Sequence, residues 1–97
     1  MLSITEYNSL AQSATGDIVM AGAEPSRATQ NVAITALPVQ SQQFDSATRF
    51  VRIHAPDAVR IAFGESPEAS ATSTLLPAGA TEFFGVQPFH RVSVLAE

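Results

Sequence analysis

Thr48-Arg49-Phe50-Val51-Arg52-Ile53-His54-Ala55-Pro56-Asp57-Ala58-Val59-Arg60-Ile61-Ala62-Phe63 alternates apolar and polar side chains on both sides of a Pro-Asp break. Successive side chains of a strand point to opposite faces, so a period of two marks a half-buried strand. Val51, Ile53 and Ala55 then share one inward face, and Phe50, Arg52 and His54 share the other. In the second half Val59, Ile61 and Phe63 point inward and Arg60 outward. Pro56-Asp57 is turn chemistry, and the two runs are expected to pair as a β-hairpin.

Downstream, the text from Gly64 to Gly79 turns small, polar and breaker-rich, and predicts a long connection. Leu75-Leu76 reads as a brief edge strand before a turn at Pro77 to Gly79, because proline suits strand ends and not central ladders. Thr81 to Val86 is expected as a strand. Gln87-Pro88-Phe89-His90 is the turn into a last strand, Arg91 to Leu95, with Val92 and Val94 inward.

Upstream, Asn31 to Leu37 reads as a strand ended by Pro38, and Val39 to Ser46, with its three glutamines, as a solvated loop. Ile18-Val19-Met20 is a further strand candidate, and Gly22 to Gln30 a linker by composition. Ser3-Ile4-Thr5-Glu6 matches a capping box, with Ile4, Tyr7 and Leu10 or Ala11 at helical spacing. An extended segment fits those residues almost as well, since a helix of about ten residues is marginal alone. The expected organisation is therefore an N-terminal arm or linker, extended or short-helical, over residues 1–30, and an all-β domain over 31–97. That domain is expected to be a small antiparallel β-sandwich or barrel.

Composition narrows the functions. The 97 residues include five arginines, no lysine, nine acids and no cysteine, for a net charge of −4. A phosphate backbone would meet a repulsive average field, so nucleic acid is not an expected partner. Disulfides and thiolate metal sites are excluded. Without a basic leader, or a run near the roughly 20 apolar residues of a spanning helix, the chain reads as soluble, unprocessed and not membrane-bound. Only 14% of residues are charged, which leaves a surface that neighbours cover at low desolvation cost.

No constellation for catalysis emerges. His54 and His90 are the two histidines, and His54-x-x-Asp57 straddles a turn without the third donor that a zinc site needs. No Gly-x-Ser-x-Gly elbow occurs, and the scattered glycines form no phosphate cradle. Neither enzyme chemistry nor a cofactor is expected. The six phenylalanines fall mostly on strands, where they serve packing, which weakens a glycan-binding reading without removing it. Arg49, Arg52 and Arg60 on outer strand faces suit a protein interface, because arginine is enriched there and pairs with carboxylates across it. Tyr7 and Leu10 are the interface candidates of the leading segment.

The words Thr48–His54, Val59–Gly64, Pro67–Thr74, Leu76–Gly79, Glu82–Val86 and Pro88–Leu95, taken in this order, resemble a family of short structural proteins of phage and prophage heads. The chain departs from that pattern at the last turn, where Pro88-Phe89 stands in place of Pro-Gly. The resemblance implies a virion component, a decoration or cement protein on the capsid exterior, with the major capsid protein or other virion subunits as partners. In that role a homo-oligomer is expected, with trimers suiting threefold lattice positions. The alternatives are a neck, tail or head-fibre component, or a host-surface or glycan-binding β-module.

Overall fold

A computed structural model describes residues 1–12, 18–22 and 26–97, with side chains described for 1–9 and 26–97. Every regular element among the described residues is a strand: β1 (Leu2–Tyr7), β2 (Leu10–Gln12), β3 (Ile18–Gly22), β4 (Ala28–Val32), β5 (Val39–Gln40), β6 (Phe50–His54), β7 (Val59–Gly64), β8 (Thr74–Leu76), β9 (Thr81–Gly85) and β10 (Arg91–Ala96). They form two four-stranded antiparallel sheets, β4-β1-β6-β9 and β5-β10-β7-β8, and a β2-β3 ribbon. The all-β expectation holds.

The pattern at 48–63 predicts both strands correctly and their partnership incorrectly. β6 and β7 do not pair with each other: β6 lies between β1 and β9, and β7 between β10 and β8. The actual hairpin is larger and bent. Ile53 faces Glu82 and His54 faces Thr81 on one side of the corner; Val59 faces Leu76 and Arg60 faces Leu75 on the other. Four residues on each strand, 55–58 and 77–80, separate the two halves, so the register passes through unbroken. At the bend the Ala55 N–H donates to the Ala80 carbonyl (3.0 Å), and the Gly79 N–H to the Ala55 carbonyl (2.7 Å). Pro56-Asp57 thus marks a corner between sheets instead of a hairpin tip.

The inner side of this bend is the core. Leu2 and Ile4 of β1, Val51 and Ile53 of β6, Val59 and Ile61 of β7, Leu76 of β8, and Val92 and Val94 of β10 belong to one buried cluster drawn from both sheets. Phe63 departs from its expected inward place. It sits where the sheets end and is 37% exposed, though its ring still meets Phe84 at 5.2 Å.

Three further expectations are corrected upstream. Residues 2–7 form neither a helix nor a free arm: Ile4 faces Gln30 of β4 on one side and Ile53 of β6 on the other, which makes β1 an interior strand. Leu2, Ile4 and Glu6 are buried on one side at period two, and pairing along both edges outweighs a short helix that is marginal by itself. The strand expected at Asn31–Leu37 runs instead from Ala28 to Val32, so part of the presumed linker is sheet. The stretch Val39–Ser46 is not solvated throughout. Its Phe44 is the largest fully buried side chain, and its N–H donates to the His90 carbonyl (2.8 Å).

Buried polar side chains fasten the loops to this body. Glu6 Oε1 accepts from the Asp45 N–H and the Thr48 hydroxyl, both at 2.8 Å. Ser41 Oγ accepts from the Val92 N–H (3.0 Å). Ser93 faces away from the core yet is buried, because the 65–73 loop folds over it and the Ala69 N–H donates to its Oγ (2.9 Å). Burying such groups is tolerable only when they are hydrogen-bonded, and these bonds fix loop positions at the same time.

Phe44→Ala is expected to lower stability by about 3–5 kcal/mol in denaturant unfolding, where a solvated loop residue would change almost nothing. Asp45 gives a pH test. The Ala47 N–H and then the Arg27 guanidinium, 2.9 Å away, hold its carboxyl below the usual value of 3.8. A depressed carboxylate contributes stability above its unfolded value and loses it as pH falls through the folded one. Asp45→Asn should therefore be less stable than the parent at pH 7, and the gap should narrow below pH 3.8 in melts recorded across acid pH.

Candidate functional site

Where the two sheets end together, four strands leave a cleft of about 520 Å³. Phe50 opens β6 and lies opposite Gly85, the last residue of β9; Gly64 closes β7 opposite Arg91, the first residue of β10. Phe50 and Phe63 contribute the large apolar side chains of the lining, and Val86 adds to it. Gly64 and Gly85 contribute none, which leaves the opening wide. A Cβ at Gly85 would meet only the Phe50 ring, at an ordinary 3.9 Å, and one at Gly64 would meet nothing within 4 Å.

The polar part of the lining is Arg49, Gln87 and His90. Arg49 is held at both backbone groups: its N–H donates to the Tyr7 carbonyl (2.9 Å), and its carbonyl accepts from the Val86 N–H (2.8 Å). Its guanidinium is exposed and reaches only the Ser46 and Thr48 carbonyls, at 3.4 and 3.2 Å. Among the described residues no carboxylate lines the cleft, in a chain whose net charge is −4.

The turn supplying Gln87 and His90 has an unusual backbone. The His90 N–H donates to the Gln87 carbonyl (3.3 Å), and Phe89, third of the four turn residues, has φ +64°. Pro77-Ala78-Gly79-Ala80 is built alike, with its closing bond from the Ala80 N–H to the Pro77 carbonyl (3.1 Å) and φ +78° at Gly79. A type II turn needs positive φ at this position, which glycine supplies freely and a residue with a Cβ supplies only under strain. The second turn obeys that rule, and the first breaks it with a phenylalanine. Its side chain is not tucked into the core, for Phe89 is 56% exposed.

The residues singled out by sequence are distributed, not gathered. Arg49 lines the cleft. Tyr7 and Arg52 share the outer face of the first sheet with Phe50 and His54; Tyr7 is almost buried, with its ring 6.0 Å from Phe83. Arg60 lies on the other sheet, where Nε donates to Glu97 (2.8 Å) and Nη1 to the Ser73 carbonyl (3.1 Å). Leu10 is on β2, and its side chain lies outside the described residues. His54 Nδ1 lies 2.7 Å from the Thr81 hydroxyl. Among the described residues no three potential metal ligands gather. Sequence reading missed Phe63, Gly85 and Phe89 as site residues. The available signal was Pro88-Phe89 itself, a bulky residue where the turn calls for glycine.

The chain matches no protein-family model, no curated protein and no solved structure.

Relieving the turn should show its strain directly. Phe89→Gly is expected to raise stability by about 1 kcal/mol, measured by thermal or denaturant unfolding. Phe89→Ala keeps a Cβ at positive φ and should bring no such gain.

Proposed function

We propose that this chain is a non-enzymatic structural subunit of a bacteriophage particle, a decoration or cement protein bound to the major capsid protein on the outside of the head. The observation that carries the interaction role is Phe89, an exposed aromatic ring held in a strained turn beside an apolar cleft. Large aromatic side chains and arginines dominate binding energy at protein interfaces, and Phe50, Phe63, Phe89 and Arg49 cluster about this end of the body. The particle context comes from the family resemblance, whose words fall on the bent hairpin and β10.

Such a subunit works without chemistry. It buries area across capsid subunits, so that separating them costs the free energy of its own interface as well. A β-sandwich with loops fastened to it by hydrogen bonds from Glu6, Ser41 and Ser93 deforms little under load, and an oligomer would multiply its contacts.

A second reading, a host-surface module that binds a glycan, is favoured by the pairing of aromatic walls with Gln87, Arg49 and His90 in the cleft. Sugar rings stack on aromatic faces while side-chain polar groups take their hydroxyls.

Mass spectrometry of purified particles decides between these. The polypeptide is expected in many copies, in step with the capsid lattice. A few copies per particle would point to a neck, tail or fibre part, and complete absence would end the virion reading.

A further inference from the structure

We infer that the cleft receives an extended segment of a partner protein that carries an apolar side chain next to a carboxylate, with Phe89, between the lining residues Gln87 and His90, as a further anchor; this rests on the interaction role proposed above. Three observations converge. The first is charge. In a chain of net charge −4 the described residues that line the cleft include one guanidinium, one imidazole and no carboxylate. The Arg49 guanidinium spends only its Nη1 on two long contacts to backbone carbonyls, so its remaining donors can take a carboxylate in the forked geometry that arginine favours.

The second is shape. A volume of about 520 Å³ lies in the range of roughly 300–1,000 Å³ that holds a compact ligand, not a whole protein face. Phe50, Phe63 and Val86 make the lining largely apolar, and the missing side chains at Gly64 and Gly85 keep it open. An apolar side chain of the segment fills this space, and its neighbouring carboxylate meets Arg49.

The third is Phe89. Within the isolated fold its conformation is unfavourable, and its ring stays 56% exposed. Neither packing nor backbone preference accounts for a phenylalanine here, whereas burial of the ring against a bound partner does. Residues in strained conformations concentrate at ligand-binding positions for this reason.

The test uses the full ¹⁵N-labelled chain and two blocked tetrapeptides, Leu-Phe-Glu-Asp and its charge-reversed counterpart Leu-Phe-Lys-Lys. The acidic peptide is expected to shift the amide signals of Gly64, Gly85 and His90, and the basic peptide to leave them in place. Arg49→Gln and Phe89→Gly should each weaken binding by about tenfold. Phe89→Gly is the decisive variant, because it should bind more weakly while melting at a higher temperature, which no loss of folding can mimic. Gly85→Val, which puts a branched side chain against Phe50, should abolish binding.

Equal binding of both peptides, or no localised shift at about 5 mM peptide, a concentration at which even weak sites fill, would overturn the inference. So would an oligosaccharide that moves these amides when the acidic peptide does not. The two proposals fail separately: Gly85→Val chain that still decorates particles normally removes the cleft from the interface and leaves the virion reading intact. Parent chain that binds the acidic peptide but is missing from particles does the reverse.

Discussion

The unbroken register across the corner at Ala55 and Ala80 is the constraint on which the rest of the fold depends. A strand pair that bends while keeping its ladder places one face on the concave side of both halves. Val51, Ile53 and Ala55 before the bend and Val59 and Ile61 after it are all buried, and they share one parity along the chain. Since the side-chain period is two, an odd number of residues added between Ala55 and Val59 would turn the β7 core face outward. The matching four-residue spacing on the opposite strand, 77–80, keeps the partners aligned. β1 and β10 then each add beside one half of the bent pair and complete the core.

That arrangement explains which parts of the fold could be read from sequence. Alternation is local, so the strands at 50–54, 59–64, 81–85 and 91–96 and the buried Val51, Ile53, Val59, Ile61, Val92 and Val94 were legible. Pairing is not local. Pro56-Asp57 carries the chemistry of a tight turn, and nothing within the stretch 48–63 tells a hairpin from a corner whose partner strand comes some twenty residues later. For Leu2–Tyr7 the spacing of Ile4, Tyr7 and Leu10 fitted a helix and an extended segment fitted almost as well; six residues do not separate the two, and the edges of β4 and β6 decide. Phe44 was hidden by its polar neighbours, although one large apolar residue among glutamines is itself a mark of an inward turn of the chain.

The site was less legible than the fold, because an outward arginine says little about what it meets. Arg60 is committed to Glu97, 37 residues away, and to the Ser73 carbonyl. Arg49 has the same chemistry but ends at the junction of the sheets, where a cleft exists only because Gly64 and Gly85 come together from different strands. Such a cavity belongs to the assembled topology. What sequence did show was a departure at Pro88-Phe89, whose meaning depended on a backbone angle.

The distribution of buried polar groups bears on why that departure is tolerated. Glu6, Ser41 and Ser93 each accept a backbone N–H from elsewhere in the chain, and so tie the 41–48 and 65–73 segments to the sheets. The 87–90 turn is held through its last two residues as well: the Phe89 N–H donates to the Phe44 carbonyl (3.2 Å), and the His90 carbonyl accepts from the Phe44 N–H (2.8 Å). Phe44, fully buried, anchors that pairing from below. A turn whose last two residues are bonded to a core residue retains its positive φ even with a side chain that disfavours it, at a cost of roughly 1–2 kcal/mol. Glycine would remove the cost and also remove the ring. Local preferences that a sequence violates without an internal gain are expected where function is drawn from the fold, and in this chain the violation falls on the one turn that both borders the cleft and presents an exposed phenylalanine.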